Sequence, residues 1–135
     1  MDNAGKKKIL LVDDDEMHLI TAELYLKDEY EIFKVKSGEE ALNQLKNNEF
    51  VPNLILLDVV MSGMNGWEVF KKIRAIPSLK NLPIAFLTSE NDQTEKDRAF
   101  KIGAADYITK PYNMTLLKSK VKDILYKKKE VRRFS

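Results

Sequence analysis

The chain has 135 residues, of which 44% are hydrophobic and 33% charged, a balance typical of one globular domain with a substantial core. It contains no cysteine, which excludes disulfides and thiolate metal sites and fits a reducing, cytoplasmic setting. No apolar stretch is long enough for a signal-peptide core or a membrane span, so we expect no membrane association.

The formal net charge of +2 hides an uneven distribution. Residues 1–8 contribute +2 and residues 127–135 contribute +4, which leaves −4 on the segment between them. Basic charge confined to the two ends supports nucleic-acid binding only weakly, and we expect none by this domain. The expected organisation is a flexible arm over residues 1–7, one folded domain over 8–127, and a basic tail or the start of a linker over 128–135.

Five segments typical of β-strands alternate with five segments of helical spacing. The strands are predicted at Lys8–Val12, Tyr30–Lys36, Leu54–Leu57, Pro83–Leu87 and Asp106–Thr109. Strands and helices that alternate in this way predict a parallel sheet with helices on both faces.

N-cap residues and inward-facing apolar residues indicate where the helices lie. Asp15 is the predicted N-cap of the first helix, and Ser37 that of the second. In the fourth helix, over 91–101, and just beyond it, the predicted inward-facing side chains are those of Ala99, Phe100 and Ile102.

The residues that end the strands carry most of the chemistry. Asp13 and Asp14 follow the first strand, Asp58 the third, and Thr88 and Lys110 stand at the ends of the fourth and fifth. Asp58 alone could simply turn the chain or cap a helix. Because the carboxyl ends of parallel strands share one edge of a sheet, however, all five side chains should converge there.

A convergence of carboxylates is costly unless a cation neutralises it. Mg²⁺ prefers oxygen ligands and commonly links carboxylates to a phosphate. The Lys110 ammonium and the Thr88 hydroxyl suit phosphoryl oxygens, and a carboxylate can itself accept a phosphoryl group. The set therefore points to phosphoryl transfer.

The chain resembles a response regulator receiver domain of two-component signalling, of the chemotaxis-regulator type. Its matching motifs stand in the family's order across nearly the whole chain: Leu11–Asp15, Asp58 with Met61 and Gly66, Leu87–Thr88, and Gly103–Pro111. The resemblance implies an α/β, three-layer, doubly wound, flavodoxin-like (βα)5 fold whose five-stranded parallel sheet has the order 2-1-3-4-5.

The resemblance also implies roles at the acidic edge. Asp58 would be the phosphoacceptor. Asp13 and Asp14 would hold Mg²⁺, with Mn²⁺ as a substitute; Asp14 would bind the ion directly and Asp13 through water. The backbone carbonyl of Val60 would be a further metal ligand.

The remaining implied roles concern the phosphoryl group and the signal. Lys110 would contact the phosphoryl group and form a cis peptide with Pro111. Thr88 and Tyr107 would be the switch pair. The implied partners are a sensor histidine kinase or a histidine phosphotransfer protein, and a downstream protein or fused output domain. The output surface would comprise the fourth helix, fifth strand and fifth helix, which could also form a homodimer.

The sequence departs from the family pattern in places. Ser62 stands where the family usually has proline, and Asn65 where it often has aspartate, from which we expect altered loop stiffness. Val60 is apolar and cannot orient an attacking water. His18, the single histidine, is expected to be a surface residue of the first helix rather than a ligand.

Two other functions remain open on sequence. A metal-dependent phosphohydrolase with an aspartyl nucleophile usually needs a second carboxylate just after the nucleophile, where this chain has Val59 and Val60. A flavodoxin-like interaction module that is never phosphorylated would have no use for the acidic pair, Asp58 and Lys110 together. We therefore expect a phosphoacceptor and not a turnover enzyme.

Overall fold

A computed structural model describes residues 5–47 and 50–126. The predicted arm over 1–7 lies partly outside these residues, and the predicted tail over 128–135 lies wholly outside them. Helices and strands alternate along the described chain. They are β1 Lys8–Val12, α1 Glu16–Leu26, β2 Glu31–Val35, α2 Gly38–Lys46, β3 Leu54–Leu57, α3 Gly66–Arg74, a 3₁₀ turn Pro77–Leu79, β4 Ile84–Thr88, α4 Gln93–Lys101, β5 Asp106–Thr109 and α5 Met114–Tyr126.

The five strands form one parallel sheet in the order β2-β1-β3-β4-β5, which confirms the predicted fold. Its register aligns the carboxyl ends of the strands: Val12 pairs with both Val35 and Leu57, and Thr88 pairs with Thr109. The residues that follow these strands therefore share one edge of the sheet.

Two apolar layers cover the two faces of the sheet. Alternate strand residues point to opposite faces, so Leu10 lies in one layer and Leu11 in the other. The α2, α3 and α4 helices cover the first layer, and α1 and α5 cover the second. The β1, β3 and β4 strands are buried on both faces, which matches their largely apolar sequences.

The helix starts follow the predicted capping chemistry. The side chain of Asp15 accepts hydrogen bonds from the backbone at the start of α1, and Ser37 does the same for α2. Asn65, which stands where the family often has aspartate, caps α3 in a reciprocal capping box with Glu68. Among the described residues, no helix has the length and apolar composition needed to cross a membrane.

One predicted feature of α4 is wrong. Of its three inward candidates only Ala99 is buried, whereas Phe100 is 53% exposed and Ile102 is 43% exposed. Successive helical residues point about 100° apart, so a helix that lays Ala99 on the sheet turns Phe100 away. Ile102 stands just past the end of α4, at its C-cap. The α4 helix thus presents an apolar side chain to solvent.

Candidate functional site

The edge at the carboxyl ends of the strands brings three of the predicted side chains into contact. The Lys110 ammonium lies 2.6 Å from Asp13 Oδ2 and 3.4 Å from Asp58 Oδ2. All three side chains are at most 8% exposed. Lys110 is 97 residues from Asp13 in sequence, so only the parallel sheet can place them together.

Backbone hydrogen bonds that continue the strand pairing hold these residues in position. The N–H of Asp58 donates to the carbonyl of Val12 at 3.0 Å, and that of Lys110 donates to the carbonyl of Thr88 at 2.8 Å. The predicted cis peptide between Lys110 and Pro111 is present. The charged side chains therefore project from a rigid edge and not from free loops.

The charges at this edge do not balance. Burial raises the pKa of the Asp13 carboxyl, and the nearby Asp58 charge adds to the rise, although the Lys110 ammonium and the N–H of Asp15 oppose it. Two buried carboxylates share one ammonium, so the cluster favours an additional cation. Carboxylate oxygens are hard ligands, and the donor set therefore fits Mg²⁺.

His18 belongs to this cluster, whereas the sequence predicted a surface residue of the first helix rather than a ligand. Its Nδ1 lies 2.8 Å from the Lys110 ammonium and 3.5 Å from Asp13 Oδ2, while its side chain is still 43% exposed. Ligand atoms of Asp13, His18 and Asp58 lie within 4.8 Å of one another. The four-residue spacing from His18 to the buried Ala22 could have indicated that His18 faces the sheet.

Asp14 behaves differently from Asp13. It is exposed, and it is not part of the close group that the described residues form around Asp58. Its Oδ2 accepts hydrogen bonds from the N–H of Ser62 at 2.9 Å and from the Ser62 hydroxyl at 3.1 Å. Ser62, which stands where the family usually has proline, thus contacts an expected metal ligand. The sequence did not predict this contact.

The acceptor loop runs past Asp58 through Val60. The N–H of Val60 donates to Asp58 Oδ1 at 3.3 Å, and the Val60 residue is 55% exposed. Farther along, the N–H of Gly66 donates to the carbonyl of Val59 at 2.8 Å and closes the loop onto α3.

Thr88 and Tyr107 both bind the backbone of Glu90. Thr88 is fully buried, and its Oγ1 accepts a hydrogen bond from the Glu90 N–H at 3.3 Å. The Tyr107 hydroxyl donates to the Glu90 carbonyl at 2.8 Å, with its ring 6% exposed and 6.0 Å from that of Phe86. One backbone segment therefore connects the two predicted switch residues.

Removing the Tyr107 hydroxyl should lower stability and change its alkaline dependence. Burial raises the pKa of Tyr107 to about 12, above its ordinary value of 10.0. The folded state holds this proton more tightly than the unfolded state, so the stability it contributes is complete below pH 10 and is lost towards pH 12. We expect Tyr107→Phe to cost about 1 kcal/mol near neutral pH.

Urea unfolding at a series of pH values tests this expectation. The alkaline fall in stability should be smaller in Tyr107→Phe than in the parent protein. Tyr112→Phe is a parallel case: partial burial also raises the pKa of Tyr112 to about 12, so this substitution should lessen the alkaline fall as well. An alkaline profile that is unchanged in Tyr107→Phe would contradict the assigned environment.

Comparison with known proteins identifies the class of domain. The chain belongs to the response regulator receiver domain family, whose family model matches residues 9–122. It is therefore a receiver domain of two-component signalling with a flavodoxin-like fold. Receiver domains bind Mg²⁺ in an acidic pocket, the chemistry expected of the Asp13 and Asp58 cluster.

Two regulators and one solved structure illustrate the similarity. Transcriptional regulatory protein CrdR of Helicobacter pylori is 36% identical over 87% of this chain and 54% of its own length. Regulatory protein VanR of Enterococcus faecium is 39% identical over 90% of this chain and 52% of its own length. Chemotaxis protein CheY4 of Vibrio cholerae has a TM-score of 0.81 at 30% identity, over 90% of this chain and 100% of that chain. The chain spans about half the length of the two regulators.

Proposed function

We propose that the protein is a phosphorylation-controlled switch whose Asp58 accepts a phosphoryl group from a sensor histidine kinase or a histidine phosphotransfer protein. The observation that carries this proposal is the buried Asp58 carboxylate beside the Lys110 ammonium, 3.4 Å apart at the edge where the strands end. A fixed carboxylate can act as the nucleophile, and a fixed ammonium can stabilise the charge of the transferring group.

The transfer needs positioning more than covalent chemistry. An Asp58 oxygen attacks phosphorus, a new O–P bond forms, and the N–P bond of the donor phosphohistidine breaks with its electron pair going to the imidazole. Lys110, already close to Asp58, moves only a short way to meet the phosphoryl oxygens. The proposed Thr88 contact with the phosphoryl group would use the hydroxyl that now accepts from Glu90.

We assign the Mg²⁺ ligands to the carboxylates of Asp13, Asp14 and Asp58 and to the backbone carbonyl of Val60, with Asp13 acting through water and Mn²⁺ able to replace Mg²⁺. The imbalance of two buried carboxylates against one ammonium supports this assignment. Mg²⁺ held by these residues would supply positive charge that stabilises the transferring phosphoryl group.

Slow loss of the phosphoryl group is the expected behaviour, since the two residues after Asp58 are valines. Neither Val59 nor Val60 offers a carboxylate that could act as a general base, as a phosphohydrolase of this kind requires. The protein should therefore hold its phosphoryl group and not turn over phosphoesters.

The proposed output surface consists of α4, β5 and α5. Thr88 and Tyr107 are linked through Glu90, so a Thr88 hydroxyl that turns to the phosphoryl group gives up its bond to the segment that holds Tyr107. Phe100, exposed on α4, offers an apolar contact on this surface. The receiving partner would be a downstream protein, a fused output domain or a second copy of the chain. We place this chemistry in the cytoplasm, without direct membrane or nucleic-acid contacts.

Intact-mass measurement after incubation with acetyl phosphate tests the proposal. With Mg²⁺ we expect one added phosphoryl group, which is absent in Asp58→Asn and absent when a chelator removes the metal. Asp15→Asn is a matched control, because Asp15 caps α1 two residues from Asp13 and asparagine caps equally well.

Three results would contradict the proposal. No added mass with acetyl phosphate or with a phosphorylated histidine donor would exclude the switch. Equal phosphorylation of Asp58→Asn would exclude the acceptor assignment. Catalytic consumption of phosphoesters would favour the phosphohydrolase.

A further inference from the structure

Ser62 forms hydrogen bonds between the two loops that carry the proposed Mg²⁺ ligands. Its N–H and its hydroxyl both donate to Oδ2 of Asp14, at 2.9 Å and 3.1 Å. Asp14 lies in the loop after β1, whereas Ser62 lies in the loop after β3, which also carries Asp58 and Val60. One serine therefore links the first group of ligands to the second.

Within residues 5–47 and 50–126, Ser62 is the one residue that donates hydrogen bonds to the Asp14 side chain. Asp14 is exposed, unlike Asp13 and Asp58, which are nearly buried. An exposed aspartate side chain samples several staggered conformations, and fixing it on a cation costs entropy. Both donors use Oδ2, so Oδ1 can take a cation while the two hydrogen bonds remain.

We infer that Ser62 is a positioning residue for the metal site: it fixes the Asp14 carboxylate beside the acceptor loop and thereby raises the affinity for Mg²⁺. This inference rests on the proposed function. Hydrogen bonds from neighbouring groups orient metal-ligating carboxylates, and their loss commonly costs about 10- to 100-fold in metal affinity. Proline, which usually occupies this place in the family, has neither an N–H nor a hydroxyl and cannot donate these two hydrogen bonds to Asp14.

Three substitutions at position 62 vary the number of hydrogen-bond donors and should change the metal affinity in steps. Ser62→Thr keeps both donors, Ser62→Ala keeps only the N–H, and Ser62→Pro keeps neither. The probe is Mn²⁺, whose free concentration is read by electron paramagnetic resonance, with Mg²⁺ measured by competition. We expect the Kd to rise about 3- to 10-fold in Ser62→Ala and about 10- to 100-fold in Ser62→Pro, and to stay within about twofold in Ser62→Thr.

A second readout separates positioning from general damage to the loop. The Mg²⁺ concentration that gives half-maximal phosphorylation by acetyl phosphate should rise by the same factor as the Kd. The extent of phosphorylation at saturating Mg²⁺ should not change. Circular dichroism checks folding, and if Ser62→Pro does not fold, Ser62→Ala decides the question alone.

Two failures can be told apart. If Asp14→Asn weakens Mn²⁺ binding but Ser62→Ala and Ser62→Pro bind as tightly as the parent, or more tightly, the role of Ser62 is wrong and the metal site stands. If the parent protein binds Mn²⁺ no better than Asp14→Asn and Asp58→Asn do, the metal site itself is wrong, and the inference falls with it.

Discussion

Replacing Lys110 with methionine should slow phosphorylation of the protein by about 10²- to 10³-fold, the usual effect of removing one fixed charge-stabilising donor. The Lys110 ammonium stands between the carboxylates of Asp13 and Asp58, at 2.6 Å and 3.4 Å. Among the described residues, Lys110 alone forms an ion pair with Asp58. The rate is measured by intact mass over time with acetyl phosphate and saturating Mg²⁺.

The same substitution should destabilise the fold near neutral pH. Removing one partner of a buried ion pair costs about 3 kcal/mol, since Asp13 and Asp58 are left without their cation. The loss should shrink as the pH falls, because a protonated Asp13 carboxyl no longer needs a counter-ion. Burial already raises the pKa of Asp13, and removing Lys110 takes away an interaction that lowers it.

A surface lysine provides the matched control for Lys110→Met. Lys34 also forms a short ion pair, at 2.6 Å from Glu23, but its side chain is 37% exposed. Pairs of this kind contribute about 0–1 kcal/mol, so Lys34→Met should change neither stability nor phosphorylation appreciably. If Lys110→Met were phosphorylated at the parent rate, Lys110 would have no role in the transfer.

Replacing Gly66, the first residue of α3, with alanine should be a highly damaging single-methyl change beside the acceptor. A Cβ at Gly66 would lie 2.3 Å from the carbonyl oxygen of Asp58 and 2.7 Å from the Cα of Val59. Both atoms belong to the backbone and cannot rotate away, so the acceptor itself must shift. We expect a loss of about 3 kcal/mol in stability, at the upper end for an overpacked site, and a slower phosphorylation of Asp58.

Gly63, in the loop just before α3, is the control for Gly66→Ala. A Cβ there would meet nothing within 4 Å, although its φ of +75° is unfavourable for alanine. Gly63→Ala should therefore cost only about 1–2 kcal/mol, and Asp58 should remain a competent acceptor. Urea unfolding and the phosphorylation rate test both variants. A Gly66→Ala protein with parent stability and rate would mean that the close approach of α3 to Asp58 is wrong.

The fold and the central contact could be predicted because they follow from strong local signals. Continuous aliphatic runs mark strands buried on both faces, and alternation with helices makes the sheet parallel. Once the sheet is parallel, Asp13, Asp58 and Lys110 must share one edge. Their meeting is a consequence of topology and does not depend on side-chain detail.

The contacts that could not be predicted depend on such detail. The ring of His18 reaches the Lys110 ammonium through the rotation of one helix, and Ser62 reaches Asp14 through the path of one loop. The exposure of Phe100 depends on which residue of α4 rests on the sheet. The spacing of His18 and Ala22 indicates only which face of α1 the ring lies on. It determines neither a rotamer nor a loop path, so the contacts of His18 and Ser62 needed the three-dimensional structure.

Locating the phosphoryl group on the chain tests directly whether Asp58 is the phosphoacceptor. The protein is incubated with acetyl phosphate and Mg²⁺, and borohydride then reduces any acyl phosphate to an alcohol. After digestion, tandem mass spectrometry identifies the reduced residue. We expect reduction at Asp58, dependent on Mg²⁺ and strongly diminished in Lys110→Met. Reduction at Asp13 or Asp14 with Asp58 unmodified would contradict the assignment of Asp58 as the acceptor.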